Sequence, residues 1–151
     1  MTLNFHDCLV PYQNHGIQFS YPDIWHLTEE MDGMDVIVTV SANETLFWTL
    51  RILPACPPPP QVVESCVSAF EEEYDEVEVE ESQTQLASMP AYSRDLEFFC
   101  MELTNSVGLR SVRTTDFTLL VWWQGTSHEL DECQEMLDHM TQSVQADSLI
   151  D

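Results

Sequence analysis

The sequence predicts an α+β fold in which an antiparallel β-sheet of about six to seven strands is flanked by helices, as an α/β/α sandwich. Apolar and polar residues alternate over several short stretches, which is typical of half-buried strands. Turn residues separate neighbouring stretches by only a few positions, so hairpins connect most of the strands. Two longer stretches, one central and one near the end, show helical spacing of apolar residues, and helices that cover an antiparallel sheet complete this class of fold.

Four predicted strands come first along the chain, three before the central helix and one directly after it. Residues 17–21 alternate between apolar and polar, and residues 36–40 and 45–53 form a predicted hairpin. Residues 77–80 alternate valine with glutamate, which predicts a strand with a very acidic outer face.

The last predicted strands follow the central helix. Residues 96–103 continue as a strand, and residues 105–108 are predicted to form a turn. Residues 109–113 and 117–124 form the last predicted hairpin. Because residues 119–123 are apolar on both faces, their strand is expected to lie at the centre of the sheet.

Each helix has a recognisable start. The first follows the prolines at residues 57–60, since proline is tolerated in a first helical turn. The second begins where Thr126 and Glu129 form a capping-box pattern. The apolar stripes of the two helices are Val62, Val63, Cys66, Val67, Phe70 and Tyr74, and then Leu130, Cys133, Leu137, Met140 and Val144.

The chain length of 151 residues suits one domain. We expect that domain at residues 17–145, with a flexible arm at residues 1–16 and a frayed tail at residues 146–151. The five cysteines are an odd, scattered set without a C-x-x-C pair, which favours a reducing compartment over a disulfide framework. No targeting segment and no run of ~20 apolar residues is visible, so we expect a cytoplasmic protein without a membrane span.

The charge of the chain excludes several classes of partner. There are 27 acidic residues against four arginines and no lysine, giving a formal net charge of -23. Nucleic acids and anionic membranes are bound through Lys and Arg, so neither is an expected partner. An acidic surface suits a basic protein partner or cations, although a generally acidic host proteome explains the same composition.

The densest acidic stretch is residues 71–81. Oxygen-rich clusters suit calcium, but the spacing is not that of an EF-hand and the required glycine is missing. Three interpretations stay open: a solvated surface, a docking patch that includes Glu72 and Glu76, and a calcium site.

Other patterns for chemistry are weak. A second candidate for a metal site is the group His128, Glu129, Asp131 and Glu132. His128 and Glu132 have the i, i+4 spacing of metal ligands, as do Glu135 and His139. No H-E-x-x-H motif is present, however, and acidic residues are expected near a helix start. There is no G-x-S-x-G elbow and no glycine-rich phosphate loop. We therefore predict no catalytic residues, no metal site and no cofactor.

Three tryptophans are the candidate anchors for a partner: Trp25, Trp122 and Trp123. Trp122 and Trp123 are adjacent, so they point to opposite faces of their strand. One of them would line a groove between sheet and helix and anchor a partner there. The alternative is that helices cover both faces and that all three tryptophans belong to the core.

Three phrases carry a resemblance to a family. Residues 16–25 (GIQFSYPDIW), 89–98 (MPAYSRDLEF) and 119–125 (LLVWWQG) resemble the opening, middle and closing strands of PsbP-like proteins. The fold is shared with Mog-type Ran-binding import factors and bacterial DcrB-like proteins. The resemblance implies a sandwich around an antiparallel sheet, binding to other proteins and no shared catalytic residues.

These observations together predict a non-catalytic protein-binding module of PsbP/Mog-like fold, such as an adaptor or a chaperone. The expected partner is a basic protein, and the sequence leaves the oligomeric state open. The alternative is a calcium-binding module that uses residues 71–81. The candidate contact residues are Trp25, Trp122, Trp123, Glu72 and Glu76.

Overall fold

Strands make up most of the computed structural model, which describes residues 9–147. The strands are β1 (Leu9–Asn14), β2 (Ile17–Pro22), β3 (His26–Asp32), β4 (Asp35–Ser41), β5 (Phe47–Leu53), β6 (Val77–Glu81), β7 (Thr84–Leu86), β8 (Met89–Cys100), β9 (Leu103–Arg113), β10 (Thr118–Thr126) and β11 (Gln145–Ala146). The helices are α1 (Pro59–Glu73) and α2 (Ser127–Ser143).

The strands form a large sheet and a small one. The large sheet has eight strands in the order β3-β4-β5-β10-β9-β8-β6, with β7 paired to β8 beside β6. The small sheet has the order β1-β2-β11. Every pairing in both sheets is antiparallel. The central position of β10, between β5 and β9, confirms the prediction from its two apolar faces.

The two helices lie on opposite faces of the large sheet. On one face α1 packs against β8, β9 and β10 through a core that includes Val63 and Val67. The other face is covered by α2 and the small sheet, whose apolar residues share a second core with β4, β5 and β10. The predicted class, an α+β fold with an antiparallel sheet between helices, is thereby confirmed.

Trp48 joins three elements of the second core. Its side chain, on β5, is fully buried. The ring lies 4.8 Å from that of Phe19 on the small sheet, measured between centroids, and its indole nitrogen donates a hydrogen bond of 3.0 Å to the hydroxyl of Thr141 on α2. The buried donor is therefore satisfied, and the small sheet is held against both the large sheet and α2.

The small sheet is the main departure from the predicted layout. The sequence predicts a flexible arm that includes residues 9–14, but these residues form β1, which pairs with β2 along its whole length. Tyr12 is buried there and stacks on Phe19 with ring centroids 4.9 Å apart. The predicted tail, residues 146–151, is also partly wrong, because Ala146 belongs to β11, which pairs with β2. The rest of the predicted arm, residues 1–8, and of the tail, residues 148–151, lies outside the described residues.

The turn predicted at residues 105–108 is wrong as well. These residues lie within β9, and the chain reverses earlier, at Met101 and Glu102. Both turn residues have left-handed backbones, with φ of 52° and 64°. Neither is a glycine, the usual choice for that conformation, so the sequence carries no clear mark of this turn.

The start of α2 confirms the predicted capping box. The hydroxyl of Thr126 accepts a hydrogen bond of 3.3 Å from the backbone N–H of Glu129. The Glu129 carboxylate in turn accepts from the backbone N–H of Thr126 at 2.8 Å and from the hydroxyl of Thr45 at 2.5 Å. Two of the unpaired N–H groups at the start of the helix region are thus satisfied.

This cap predicts a pH-dependent contribution to stability. Burial alone would raise the pKa of Glu129, but its hydrogen bonds outweigh that effect and the pKa is lowered from the ordinary 4.5. The carboxylate therefore stabilises the folded state above pH 4.5, and this contribution is lost as the pH falls through the lowered pKa. We expect the free energy of unfolding of Glu129→Gln, measured with urea, to fall less steeply than that of wild type as the pH is lowered below 4.5. We expect Thr126→Ala to lower the free energy of unfolding by about 1 kcal/mol at neutral pH. If the free energy of unfolding falls with acid equally steeply in Glu129→Gln and in wild type, the pH dependence does not come from Glu129.

Candidate functional site

An open groove of about 550 Å³ runs alongside α2, above the part of the large sheet formed by β6, β8 and β9. The sheet forms its floor and α2 forms one wall. The groove contains one cation, Arg110, and one large aromatic residue, Trp123. The carboxylates that line it are Glu78, Glu80, Asp95, Glu97, Asp131 and Asp138.

Strand register places four of these carboxylates side by side on the floor. Glu78 of β6 stands opposite Glu97 of β8, and Glu80 stands opposite Asp95. Directly opposed residues of antiparallel strands share one face, and like charges in such positions destabilise a sheet. The groove is therefore a surface whose charge opposes folding and favours a bound cation.

Arg110 shows how the groove binds a guanidinium group. The residue is only 8% exposed, and its guanidinium forms an ion pair of 2.9 Å with Asp95. It donates a hydrogen bond of 3.0 Å to the carbonyl of Leu109 and lies 4.9 Å above the ring of Trp123. Carboxylate, carbonyl and aromatic face are the three partners that a guanidinium prefers in proteins.

Gly108 makes room for Trp123 on the floor. The two residues are directly opposed on β9 and β10. A Cβ atom at Gly108 would lie 2.2 Å from Cζ2 of the Trp123 ring, far inside van der Waals contact. The glycine therefore allows the indole to lie flat across the neighbouring strand, where Arg110 stacks on it.

The structure separates the three predicted tryptophans. Trp122 and Trp123 lie on opposite faces of β10, as predicted from their adjacency, and Trp123 is 6% exposed in the groove floor. Trp122 is half-buried, meets Phe47 edge to face at 5.0 Å between ring centroids, and borders a shallow hollow of about 450 Å³ on the other face. Trp25 is buried in the core.

The acidic stretch of residues 71–81 is also divided. Glu72 and Glu76 are exposed, at the end of α1 and in the connection to β6. Two others enter the groove, whereas Glu81 forms an ion pair of 3.2 Å with Arg94 on the opposite face. Within residues 9–147, no three Asp, Glu, His or Cys side chains are grouped closely enough to hold a metal ion.

The cysteines in the described part of the chain are all free. Cys66 and Cys133 are half-buried and pack against the two cores, in line with their positions on the apolar helix faces. Burial raises the pKa of both thiols, which lowers the fraction present as reactive thiolate near neutral pH.

Most residues of the groove were missed by sequence reasoning. Asp95, Glu97 and Arg110 lie on strands whose pairing partners cannot be read from one sequence, and Asp138 lies on a helix whose wall position depends on packing. One signal was present: the valine and glutamate alternation of β6 marks a strand with one acidic face.

The arrangement of helices and sheet is that of the PsbP-like proteins. No protein-family model matches the sequence, and neither does any curated protein. Among solved structures, the chain is similar to cyanobacterial PsbP (CyanoP) from Synechocystis sp. PCC 6803, with a TM-score of 0.56, 12% identity and 92% of each chain covered. These values show a shared fold.

Two further solved structures have the same fold. LpqN of Mycobacterium tuberculosis, which is involved in cell envelope biogenesis, gives a TM-score of 0.51 at 11% identity, with 96% of each chain covered. A Pseudomonas aeruginosa protein of unknown function gives 0.54 at 11% identity, covering 90% of this chain and 95% of its own. The predicted resemblance to Mog-type import factors and DcrB-like proteins stays a prediction.

Neither helix in residues 9–147 is long and apolar enough to cross a bilayer.

Proposed function

We propose that this protein is a non-catalytic module that binds a basic segment of a partner protein in the acidic groove beside α2. The strongest support for this proposal comes from Arg110, whose guanidinium already lies in the groove between Asp95 and the face of Trp123. The other three carboxylates of the floor have no cation opposite them on the paired strand, because Glu78 faces Glu97 and Glu80 faces Asp95.

The charge of the whole chain supports the same proposal. A net charge of -23 attracts cationic segments over several ångströms and speeds their encounter, while the groove provides the contacts that hold them. An adaptor and a chaperone would both use such a site. The four free cysteines of the described residues favour a reducing compartment, so we propose a cytoplasmic location.

The proposal is tested by titrating the protein with an arginine-rich peptide in a calorimeter at low and at high salt. A neutral peptide of equal length and calcium chloride serve as comparisons. We expect the arginine-rich peptide to bind at low salt and to weaken as salt screens the charges. Equal binding of the neutral peptide, or no heat with the basic peptide at low salt, would overturn the proposal. Saturable binding of calcium alone would favour the alternative of a cation-binding module.

A further inference from the structure

The groove is bordered by an open edge of the large sheet. β6 is the outermost strand on this side, and within residues 9–147 no strand pairs with its outer side. Four of its five residues are exposed. An edge strand of this kind presents unpaired backbone N–H and C=O groups, which are a template for another strand.

The two faces of this edge have different chemistry. Glu78 and Glu80 point to the groove, together with their opposed residues on β8. Val77 points to the other face, where it packs against the core beneath α1, and Val79 on the same face is 39% exposed. The edge is therefore acidic on the groove side and apolar on the α1 side.

This chemistry selects the kind of strand that can pair with β6. A second copy of β6 would set glutamates against glutamates on the groove side, and opposed like charges are destabilising. Charged edge strands are a common way to prevent a protein from pairing with itself. The same charges leave the edge open to a strand of opposite charge.

We propose that the basic segment binds as an added β-strand along β6. Its lysines or arginines occupy alternate positions facing Glu78 and Glu80, and the apolar residues between them lie against Val77 and Val79. Backbone hydrogen bonds to the edge hold the segment, and side chains on its two faces provide specificity. The inference rests on the proposed function and adds the conformation and the sequence pattern of the ligand.

The first test compares two peptides of about seven residues, long enough to span β6. One alternates arginine with valine, and the other contains the same residues with the arginines contiguous. Because only the alternating peptide can place all its arginines on the groove side of a strand, we expect it to bind roughly tenfold more tightly at the same salt.

The second test uses backbone methylation of the alternating peptide. Backbone groups of a strand point to the two sides in turn, so only every second N–H faces β6. Two variants carry N-methyl groups either on all arginines or on all valines. We expect one variant to lose binding by at least roughly tenfold and the other to keep it, since two or three hydrogen bonds are lost in only one of them.

The outcomes separate this inference from the proposed function. If the alternating and contiguous peptides bind equally, and both N-methylated variants bind like the parent, strand addition is wrong while binding in the acidic groove stands. If neither peptide binds at low salt, both proposals are wrong. If the alternating peptide binds more tightly and one methylated variant fails, strand addition is supported.

Discussion

Replacing Gly108 with alanine is expected to lower the free energy of unfolding by about 2 kcal/mol, because the added methyl group enters the space of the Trp123 ring. Trp123 cannot move aside easily, since it is buried and Arg110 lies above it. The direction of the change tests this cause, because without the clash alanine is favoured over glycine inside a strand by roughly 0.5–1 kcal/mol. Urea unfolding of wild type and Gly108→Ala measures the difference.

A second background tests the cause of this loss. In a Trp123→Leu variant the overlapping ring atoms are gone, so Gly108→Ala should cost much less there or become stabilising. An equal loss in both backgrounds would show that the glycine is needed for a reason other than the indole. Arg110 would also lose its aromatic partner in Trp123→Leu, which makes that variant less stable by itself.

Removing two of the groove's charges is expected to increase stability and to weaken binding. In the double variant Glu78→Gln, Glu97→Gln an opposed pair of carboxylates becomes a pair of amides. Relief of the repulsion should raise the free energy of unfolding by up to about 1 kcal/mol. Loss of two charges should weaken binding of an arginine-rich peptide roughly tenfold at low salt.

A matched control removes the same amount of charge elsewhere. Glu72→Gln, Glu76→Gln neutralises two exposed residues outside the groove, which the sequence had suggested as contacts. We expect this variant to bind the peptide nearly as well as wild type. If it loses as much affinity as the groove variant, binding depends on net charge or on the acidic stretch itself, and the groove has no special role.

Local patterns predicted the fold well where a strand or helix carries its own signal. The two apolar faces of β10, the helical spacing before Tyr74 and the capping box at Thr126 are properties of short stretches, and the structure has each of them. β11 and β7 were missed because strands of two or three residues are too short to show alternation. β1 was missed because its register with β2, rather than its own sequence, defines it.

The groove was only partly predictable because it is made by strand pairing. The alternation in β6 predicts an acidic face, but which strand lies beside it depends on a pairing across many residues of chain. The sequence offers Trp122 and Trp123 alike as anchors and gives no means of choosing between them. The two residues differ because Gly108 lies opposite Trp123 and leaves space for its ring in the floor of the groove. Tryptophan burial also depends on distant elements, and Trp25 lies in the core.

The most direct measurement of binding in the groove is a nuclear magnetic resonance titration of the isotope-labelled protein with an arginine-rich peptide at low salt. Amide shifts should concentrate in β6 and β8 and along the facing side of α2, and the indole N–H of Trp123 should shift with them. Shifts centred on α1 and the hollow beside Trp122, or shifts spread evenly over the acidic surface, would contradict the proposed site.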